Sequence, residues 1–351
     1  MAKNAKARKR AQEKMSSFND FKDVLDISPT NERLFCQLFA IDLVDWMGAV
    51  ERIRNEEAYR TSFISKGEGK PKRRIDAPAE ELKQLQGIIA NRFLREIPSH
   101  FICHGNKPGT SIFTNAEQHR GAAYVLSADV VNAFPSVLRS RVRAILRKPF
   151  GHRLKQLPEY SSISDRQKQE LLEIVVDLLC YRDRLPQGSP ASPRVLELAM
   201  FSVAEDLTAI CYEKGFTATI YADNITISSN VEIESEMLGV VSSICLKRGF
   251  RIHPAGNKTK IDGPSNGVTP TVTGLVITDN GEITCSPNKL NNLRASLHNS
   301  LQVEDWDSVV AGKVAGTIGF LRQVYPKSMP AKVKSLVEGC EKRLAERSQN
   351  V

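Results

Sequence analysis

The sequence predicts a mixed chain, α+β or α/β, organised around a small sheet. Three observations carry that expectation. Short runs of β-branched and apolar residues stand out, such as YVLSAD (124–129) and TIYADNITISS (219–229). Between them lie longer segments whose apolar residues recur at helical spacing. No apolar stretch approaches the eighteen or so residues of a membrane-spanning helix, so no membrane partner is expected. With 351 residues the chain has length for two or three domains and a sizeable core.

The elements follow in order. MAKNAKARKRAQEK sets Lys3, Lys6, Arg8, Lys9, Arg10 and Lys14 against one acid, Glu13. Residues 1–18 therefore read as a basic arm that orders on RNA or a partner. The arm lacks the apolar core of a secretory signal, and a cytoplasmic protein is expected. Helical spacing runs from Phe18 to about Tyr59, with a break at Ser28-Pro29. TSFISKGEGKPKRRIDAP (61–78) reads as a hairpin with a Gly-Glu-Gly turn, closed by Pro78. An amphipathic helix is expected over Glu80–Glu96, then a loop over Gly105–Thr110. NAEQH (115–119) opens a short helix, and Tyr124–Asp129 is a strand ending on an acid. Residues 138–185 are largely helical around a polar linker at 156–167. A stiff loop over Gln187–Pro193 leads into a helix at 194–213, followed by the hairpin 217–229. A helix over Ile233–Arg248, two strands within 268–285 and a basic helical tail over Pro287–Val351 complete the chain.

Formal net charge is +9, with 41% hydrophobic and 25% charged residues. The cations cluster in the arm and again in KGEGKPKRR (66–74), which favours a polyanionic partner such as nucleic acid. Seven cysteines show neither paired spacing nor Cys/His ligand spacing. Cys36, Cys180, Cys211 and Cys245 lie in apolar surroundings and read as small core residues. Trp46 and Trp306 read as packing residues.

The residues with chemistry are few. Asp129 ends a strand and Asp223 sits in a turn 94 residues later. Either acid alone has an ordinary use as a turn cap. On adjacent strands, the two together suit Mg²⁺, which takes oxygen ligands and shares its shell with substrate phosphates. LPQGSPASP (185–193) joins a glycine to three prolines in a rigid helix entry. Phe134 follows Asp129 by five residues. Lys258 in NKTK (257–260) is either solvated or placed to meet a phosphate. Asn115, Glu117 and His119 are read as a hydrogen-bonding unit, and Val272-Thr273-Gly274, taken alone, as a strand ending in a turn.

Taken in order, RRIDAP, LSADVVNAF, LPQGSPASP, YADN and NKTKI resemble the fingers and palm motifs of reverse transcriptases, specifically those of bacterial retrons. NAEQH is similar to the Asn-Ala-x-x-His element of that family and TVTGLVIT (271–278) to its Val-Thr-Gly element. The resemblance runs from about residue 60 to 285.

It implies an α+β right-hand polymerase with a small antiparallel palm sheet. A basic arm would occupy 1–18, N-terminal helices and fingers 19–121, palm 122–285 with a helical insertion at 138–185, and a helical thumb 286–351. Asp129, Asp223 and Asn224 would be catalytic, and Asp129 and Asp223 would hold two Mg²⁺ ions with the carbonyl of Val130. Phe134 would be the steric gate against a 2′-OH. Arg73, with Arg74, would hold the incoming dNTP. Gln187, Gly188 and Ser189 would line the template–nucleotide pocket, with Lys258 near the triphosphate as a proton donor. Asn115, His119, Val272, Thr273 and Gly274 would belong to recognition of a cognate structured non-coding RNA. The implied activity is copying of that RNA into DNA from a guanosine 2′-OH, giving a branched RNA–DNA hybrid in anti-phage defence with a separate effector protein.

The family usually carries Tyr-Ala-Asp-Asp at the palm hairpin, where this chain has Asn224. Losing one negative charge predicts weaker metal affinity. Asn224 is a tolerated variant, a natural loss of activity, or a substitution that traps a complex; the intact remaining motifs favour the first or third. Two other readings stand beside the retron one: a different bacterial reverse transcriptase, group II intron-like or of the abortive-infection type, and a catalytically silent RNA-binding scaffold.

Overall fold

The computed structural model describes residues 27–55, 58–65, 72–256 and 258–349. The arm at 1–18, the Gly-Glu-Gly turn, most of the second basic cluster and Asn257 lie outside them. Helices α1 (Pro29–Phe39) and α2 (Leu43–Asn55) lead into strands β1 (Tyr59–Ile64) and β2 (Arg73–Pro78). Then come α3 (Glu80–Arg92), α4 (Ile112–Glu117), β3 (Tyr124–Asp129), α5 (Ala133–Ser136), α6 (Arg139–Leu154), α7 (Asp165–Leu179), α8 (Ser192–Ala199) and α9 (Phe201–Lys214). The hairpin β4 (Thr217–Tyr221) and β5 (Asn224–Ser229) precedes α10 (Glu236–Lys247) and β6 (Lys260–Asp262). Three short strands follow, β7 (Thr271–Val272), β8 (Leu275–Ile277) and β9 (Ile283–Cys285), then helices α11 (Pro287–Gln302), α12 (Ser308–Val324) and α13 (Ala331–Gln349). No described helix is long and apolar enough to cross a membrane.

The chain forms two compact units. The first comprises residues up to Asn106, Val130–Glu205 and Cys245–Arg251. Its helices share an aromatic seam: Phe35 packs on Trp46 (ring centroids 4.5 Å apart) and on Phe39 (4.7 Å), and Phe93 meets Phe39 and Phe150 edge-on. Edge-on rings place a positive rim against a negative face, which favours this arrangement over stacked pairs. Ser28 caps α1 by accepting the Asn31 N–H, with Pro29 in the first turn where its missing N–H costs nothing. The buried amide of Gln86 donates to Tyr59 Oη and to the Leu178 carbonyl, each at 2.7 Å, joining the β1–β2 hairpin to α7. Arg194, also buried, reaches the Leu94 carbonyl at 3.1 Å and Ser99 Oγ at 2.5 Å, and pairs with Glu197.

The second unit comprises Lys107–Asp129, Asp206–Ile244 and the chain from Ile252 onward. It holds a four-stranded antiparallel sheet in the order β4-β5-β3-β6. Val125, Leu126 and Ala128 of β3 and Ile225 and Ile227 of β5 are buried, so adjacent positions facing opposite sides are both covered. A three-stranded sheet, β7-β8-β9, packs Val272, Leu275 and Ile277 against Ala116 of α4. Helices α11–α13 close on Leu297, Trp306, Leu321, Val337 and Cys340.

Several boundaries differ from the sequence expectation. The first helical stretch breaks again at Ala40, which takes a left-handed φ of 50°. The 80–96 helix ends at Arg92, and Leu94–Glu96 continue as a 3-10 turn. Asn115 lies near the end of α4, whose start is set by a Ser111–Thr114 capping box upstream. The helix after the proline loop is two, α8 and α9, separated at Met200. Residues 268–285 hold three strands, and β6 is an unexpected fourth strand of the main sheet.

All seven cysteines are free and buried. Burial pushes the Cys36 and Cys211 thiols up to about 11 and those of Cys180 and Cys245 up to about 12, from an ordinary 9.0. The folded protein keeps them neutral where the unfolded chain ionises, so their contribution to stability is complete below pH 9 and is lost as the pH climbs toward 12. The midpoint of urea unfolding is therefore expected to fall between pH 8 and pH 10.5, and to fall less in a Cys180→Ala/Cys245→Ala variant. An identical fall in both proteins would remove the thiols as its cause.

Candidate active site

The β4–β5 hairpin turns through Ala222 and Asp223, because Tyr221 pairs with Asn224. Ala222 takes a left-handed φ of 55°, which costs a residue bearing a Cβ about 1–2 kcal/mol. The apolar strands on either side hold that tip in place. On the far side of β5, the register sets Asp129 of β3 opposite Asn224. Opposed residues on antiparallel strands stand about 4.5–5.5 Å apart at Cα, so Asp129 and Asp223 occupy neighbouring places at one end of the sheet. The Asn224 amide donates to Asp223 Oδ1 at 3.4 Å.

Asp129 is mostly enclosed, with 13% of its side chain exposed, and its carboxylate contacts the ammonium of Lys258. His253, which the sequence did not single out, completes this group. Its backbone N–H donates to the Asp129 carbonyl at 2.8 Å. Its Nε2 stands 3.7 Å from Asp129 Oδ2 and 3.3 Å from Lys258 Nζ. Lys258 is thus the counter-ion of Asp129. The only sequence signal for His253 is its place five residues before that lysine.

The donor chemistry fits Mg²⁺. Among the described residues no group of three or more His, Cys, Asp or Glu converges as a metal cage. Mg²⁺ does not need one, since it is ordinarily held by one or two carboxylates together with substrate phosphates. Two carboxylates at one strand end, one already facing a cation, match that habit.

Arg73, Arg74, Val130, Phe134 and the loop Gln187–Ser189 belong to the first unit and are described within it. In β2, Arg73 and Arg74 are exposed and point to opposite faces of the strand. Arg74 is committed to Asp76, donating from Nε at 2.9 and 3.1 Å, while Thr61 Oγ1 donates to the same carboxylate at 2.7 Å. Among the described residues nothing holds the Arg73 guanidinium, so it is the cation with freedom to meet a ligand. The proline loop docks on the outer edge of β2, where the Asp76 N–H donates to the Gln187 carbonyl at 2.8 Å. Gly188 (φ 144°) follows so closely that a Cβ would stand 2.6 Å from the Asp76 carbonyl oxygen. Ser189 is buried, and its Oγ accepts the Ala191 N–H at 3.2 Å, so the hydroxyl shapes the loop instead of facing solvent. Val130 is buried, and Phe134 is half-buried in the short helix α5.

The residues expected to meet RNA divide differently. His119 is 1% exposed and bridges the two strands of the hairpin: Nδ1 to Ser228 Oγ and Nε2 to Thr219 Oγ1, both 2.7 Å. Asn115 is fully buried, and among the described residues neither polar atom of its amide has a hydrogen-bond partner. Val272 is fully buried in the core under the small sheet. All three side chains are therefore packed inside the second unit, with at most 1% of their surface exposed to solvent. Thr273 is half-buried, strained at φ 49°, and donates its hydroxyl to the Ile112 carbonyl at 3.0 Å. Gly274 alone of the set is exposed, with φ 78°.

A family model of reverse transcriptases (RNA-dependent DNA polymerases) matches residues 64–262, more than half of the chain. The chain is similar to the retron Mx162 reverse transcriptase of Myxococcus xanthus, 30% identical over 278 residues that cover 74% of this chain and 56% of that protein. It is 28% identical over 242 residues to the retron Ec86 reverse transcriptase of Escherichia coli, covering 68% and 69%. It is 29% identical over 280 residues to the retron Mx65 reverse transcriptase of Myxococcus xanthus, covering 79% and 63%. The chain therefore spans less than two thirds of the length of the two Myxococcus proteins.

Two substitutions test these placements. His119→Ala strands two buried hydroxyls, each costing about 1–3 kcal/mol when unpaired, so urea unfolding is expected to show a clear loss of stability. Unchanged stability would show that neither hydroxyl depends on the imidazole. Gly188→Ala forces the loop off β2 and is expected to cost more than about 1 kcal/mol by the same measurement.

Proposed function

The chain belongs to the reverse transcriptase family, and we propose that it is an RNA-directed DNA polymerase of the retron type. In this reading it copies a cognate structured non-coding RNA into DNA. The supporting observation is the strand register that sets Asp129 opposite Asn224, with Asp223 beside it at the hairpin tip. The similarity to retron reverse transcriptases supports the choice of template.

Asp129 and Asp223, with the Val130 carbonyl, would hold two Mg²⁺ ions. The bound metal lowers the pKa of the attacking hydroxyl and neutralises charge on the leaving oxygen. The chain's own residues do the remainder. Arg73 forks onto the triphosphate, which a planar guanidinium suits better than a point charge. Phe134 meets the sugar where a 2′-OH would project, and so favours deoxynucleotides. Gln187 and Gly188 line the template–nucleotide pocket on the backbone that β2 fixes, with Ser189 shaping the loop. Lys258 lies near the triphosphate, where it hands a proton to the departing pyrophosphate.

In the first step the 2′-oxygen of a guanosine in the RNA attacks the α-phosphorus of a dNTP. The bond to the β-phosphate breaks, pyrophosphate leaves, and the hydroxyl proton passes to solvent. Extension from that branch yields the RNA–DNA hybrid. A role in anti-phage defence with a separate effector, in the bacterial cytoplasm, belongs to the same proposal. In it the polymerase parts run as fingers to residue 121, palm over 122–285 and a helical thumb from 286, while surface RNA contact near the Val-Thr-Gly turn falls to Gly274 and its surroundings.

Asn224 favours one second reading, an RNA-binding scaffold with little or no catalysis, because it leaves two carboxylates where a third charge would aid the metals. Extraction of nucleic acid from the purified protein separates the two: a branched RNA–DNA species is expected, and RNA alone would favour the scaffold. Asp129→Asn and Asp223→Asn are each expected to lower DNA synthesis by about a hundredfold or more, since metal catalysis supplies several kcal/mol and each 1.36 kcal/mol is tenfold. Asn224→Asp is expected to raise the rate and to shift half-saturation to lower Mg²⁺. A titration curve identical to the parent's would place residue 224 away from any metal.

A further inference from the structure

Helix α6 divides its cations into two groups. Near its start, Arg139 pairs with Asp177 and Glu173 of α7, and Arg143 pairs with Glu173, at 2.5–2.6 Å. Arg141 turns inward and donates to the Ala199 carbonyl at 2.7 Å and to the Arg248 carbonyl. These arginines build the fold. Further along, Arg153 pairs with Glu96 at 3.1 Å, but Arg147, Lys148, His152 and Lys155 are exposed, and among the described residues none of these four has an ion-pair partner. From Arg139 to Lys155 the sequence contains no Asp or Glu. Like charges stacked one turn apart work against a helix, so folding does not account for this second group.

The unpaired cations rim a shallow groove of about 370 Å³. Its floor is Ala144 and Gly151, and Tyr160 forms one wall. Gly151 has no structural reason to be glycine. It sits inside a helix with an ordinary backbone, and apart from its own helix backbone and chain neighbours an added Cβ would meet no atom within 4 Å. Glycine weakens a helix relative to alanine, so the fold bears a cost with no return in packing. What the missing side chain does provide is an open floor between charged walls. The Lys168 ammonium, paired with Asp165 at 3.0 Å, lies 4.8 Å over the Tyr160 ring and steadies that wall. At about 1.5 Å rise per residue, Arg147 and Lys155 stand about 12 Å apart along the helix.

We propose that this groove binds the sugar–phosphate backbone of folded RNA. Arg147, Lys148 and Lys155 would take phosphates, the small floor would admit the strand, and Tyr160 would meet a ribose or an unstacked base. An anionic membrane is the poorer fit: between Arg139 and Tyr160 no large apolar side chain is exposed to enter a lipid surface. The choice of RNA over other polyanions rests on the polymerase reading, whereas the groove and its charge do not.

The test uses the full chain with a structured RNA hairpin, measuring affinity across a salt series. Each phosphate contact steepens the fall of log K with log salt by about 0.7–0.9. Arg147→Gln/Lys148→Gln/Lys155→Gln is expected to flatten the slope by about 2–3 and to weaken binding at least tenfold at low salt. Gly151→Leu gives a sharper signature. It fills the floor with a better helix former, so RNA binding is expected to weaken while thermal stability rises by about 2 °C or more. Extension of a short pre-annealed primer–template is expected to continue in both variants. Hairpin affinity and slope equal to the parent's would overturn the proposal, as would a loss confined to phosphatidylserine vesicles. A parent protein that makes no DNA, with both variants still losing RNA, would sink the polymerase reading and sustain the groove.

Discussion

The pairing of β3 with β5 governs everything at the acid end of the sheet. Because side chains alternate along a strand, a slip of one residue would exchange the two packed faces of β3 and carry Asp129 away from Asn224. Three features prevent it. Leu126 lies opposite Ile227 in the core, both fully buried. On its other edge β3 is held by Lys260–Asp262. Just beyond β6, Gly263 packs so tightly on the Tyr124 ring that no Cβ fits between them. Burial and close approach thus fix the backbone, and the backbone fixes the acids.

A second theme is how the chain uses its excess of positive charge. Buried or half-buried guanidiniums at Arg139, Arg141 and Arg194 are tied to carbonyls or carboxylates and join elements far apart in sequence. Fully satisfied polar groups of this kind add specificity to a helical unit, while an unpaired buried charge would be costly. Arg74 belongs to this structural class through Asp76, whereas Arg73, one residue before it, does not. Neighbouring residues of the same type thus have opposite uses, and only their partners reveal which is which.

Much of this was legible in the sequence, because its signals are local. The hairpin at 217–229 announces itself through β-branched residues around a polar pair, and YVLSAD through its apolar run. The ordered motifs identified the family before any geometry was known. What stayed hidden depends on distant partners. Residues 260–262 read as Lys-Ile-Asp and become a strand only by pairing with β3. The breaks at Ala40 and Met200 leave no mark, since apolar spacing continues through both and neither is a glycine or proline. The partners of His119 stayed hidden because sequence cannot show that Thr219 and Ser228 stand on either side of its ring. The cation groove was missed because charge counting does not separate paired arginines from unpaired ones.

The bonds around α4 carry a consequence for anyone exchanging parts between relatives. Thr273 is tied to the first turn of α4, Ala116 shares a core with Val272 and Leu275, and His119 beyond its far end joins the hairpin. The Asn-Ala-x-x-His and Val-Thr-Gly segments, 153 positions apart from His119 to Val272, are in space one block. A chimera that imports either segment alone would set foreign side chains against a native seam. The smallest transferable module is therefore discontinuous: residues 111–122 and 271–285 together, with Thr219 and Ser228 as its docking points on the recipient.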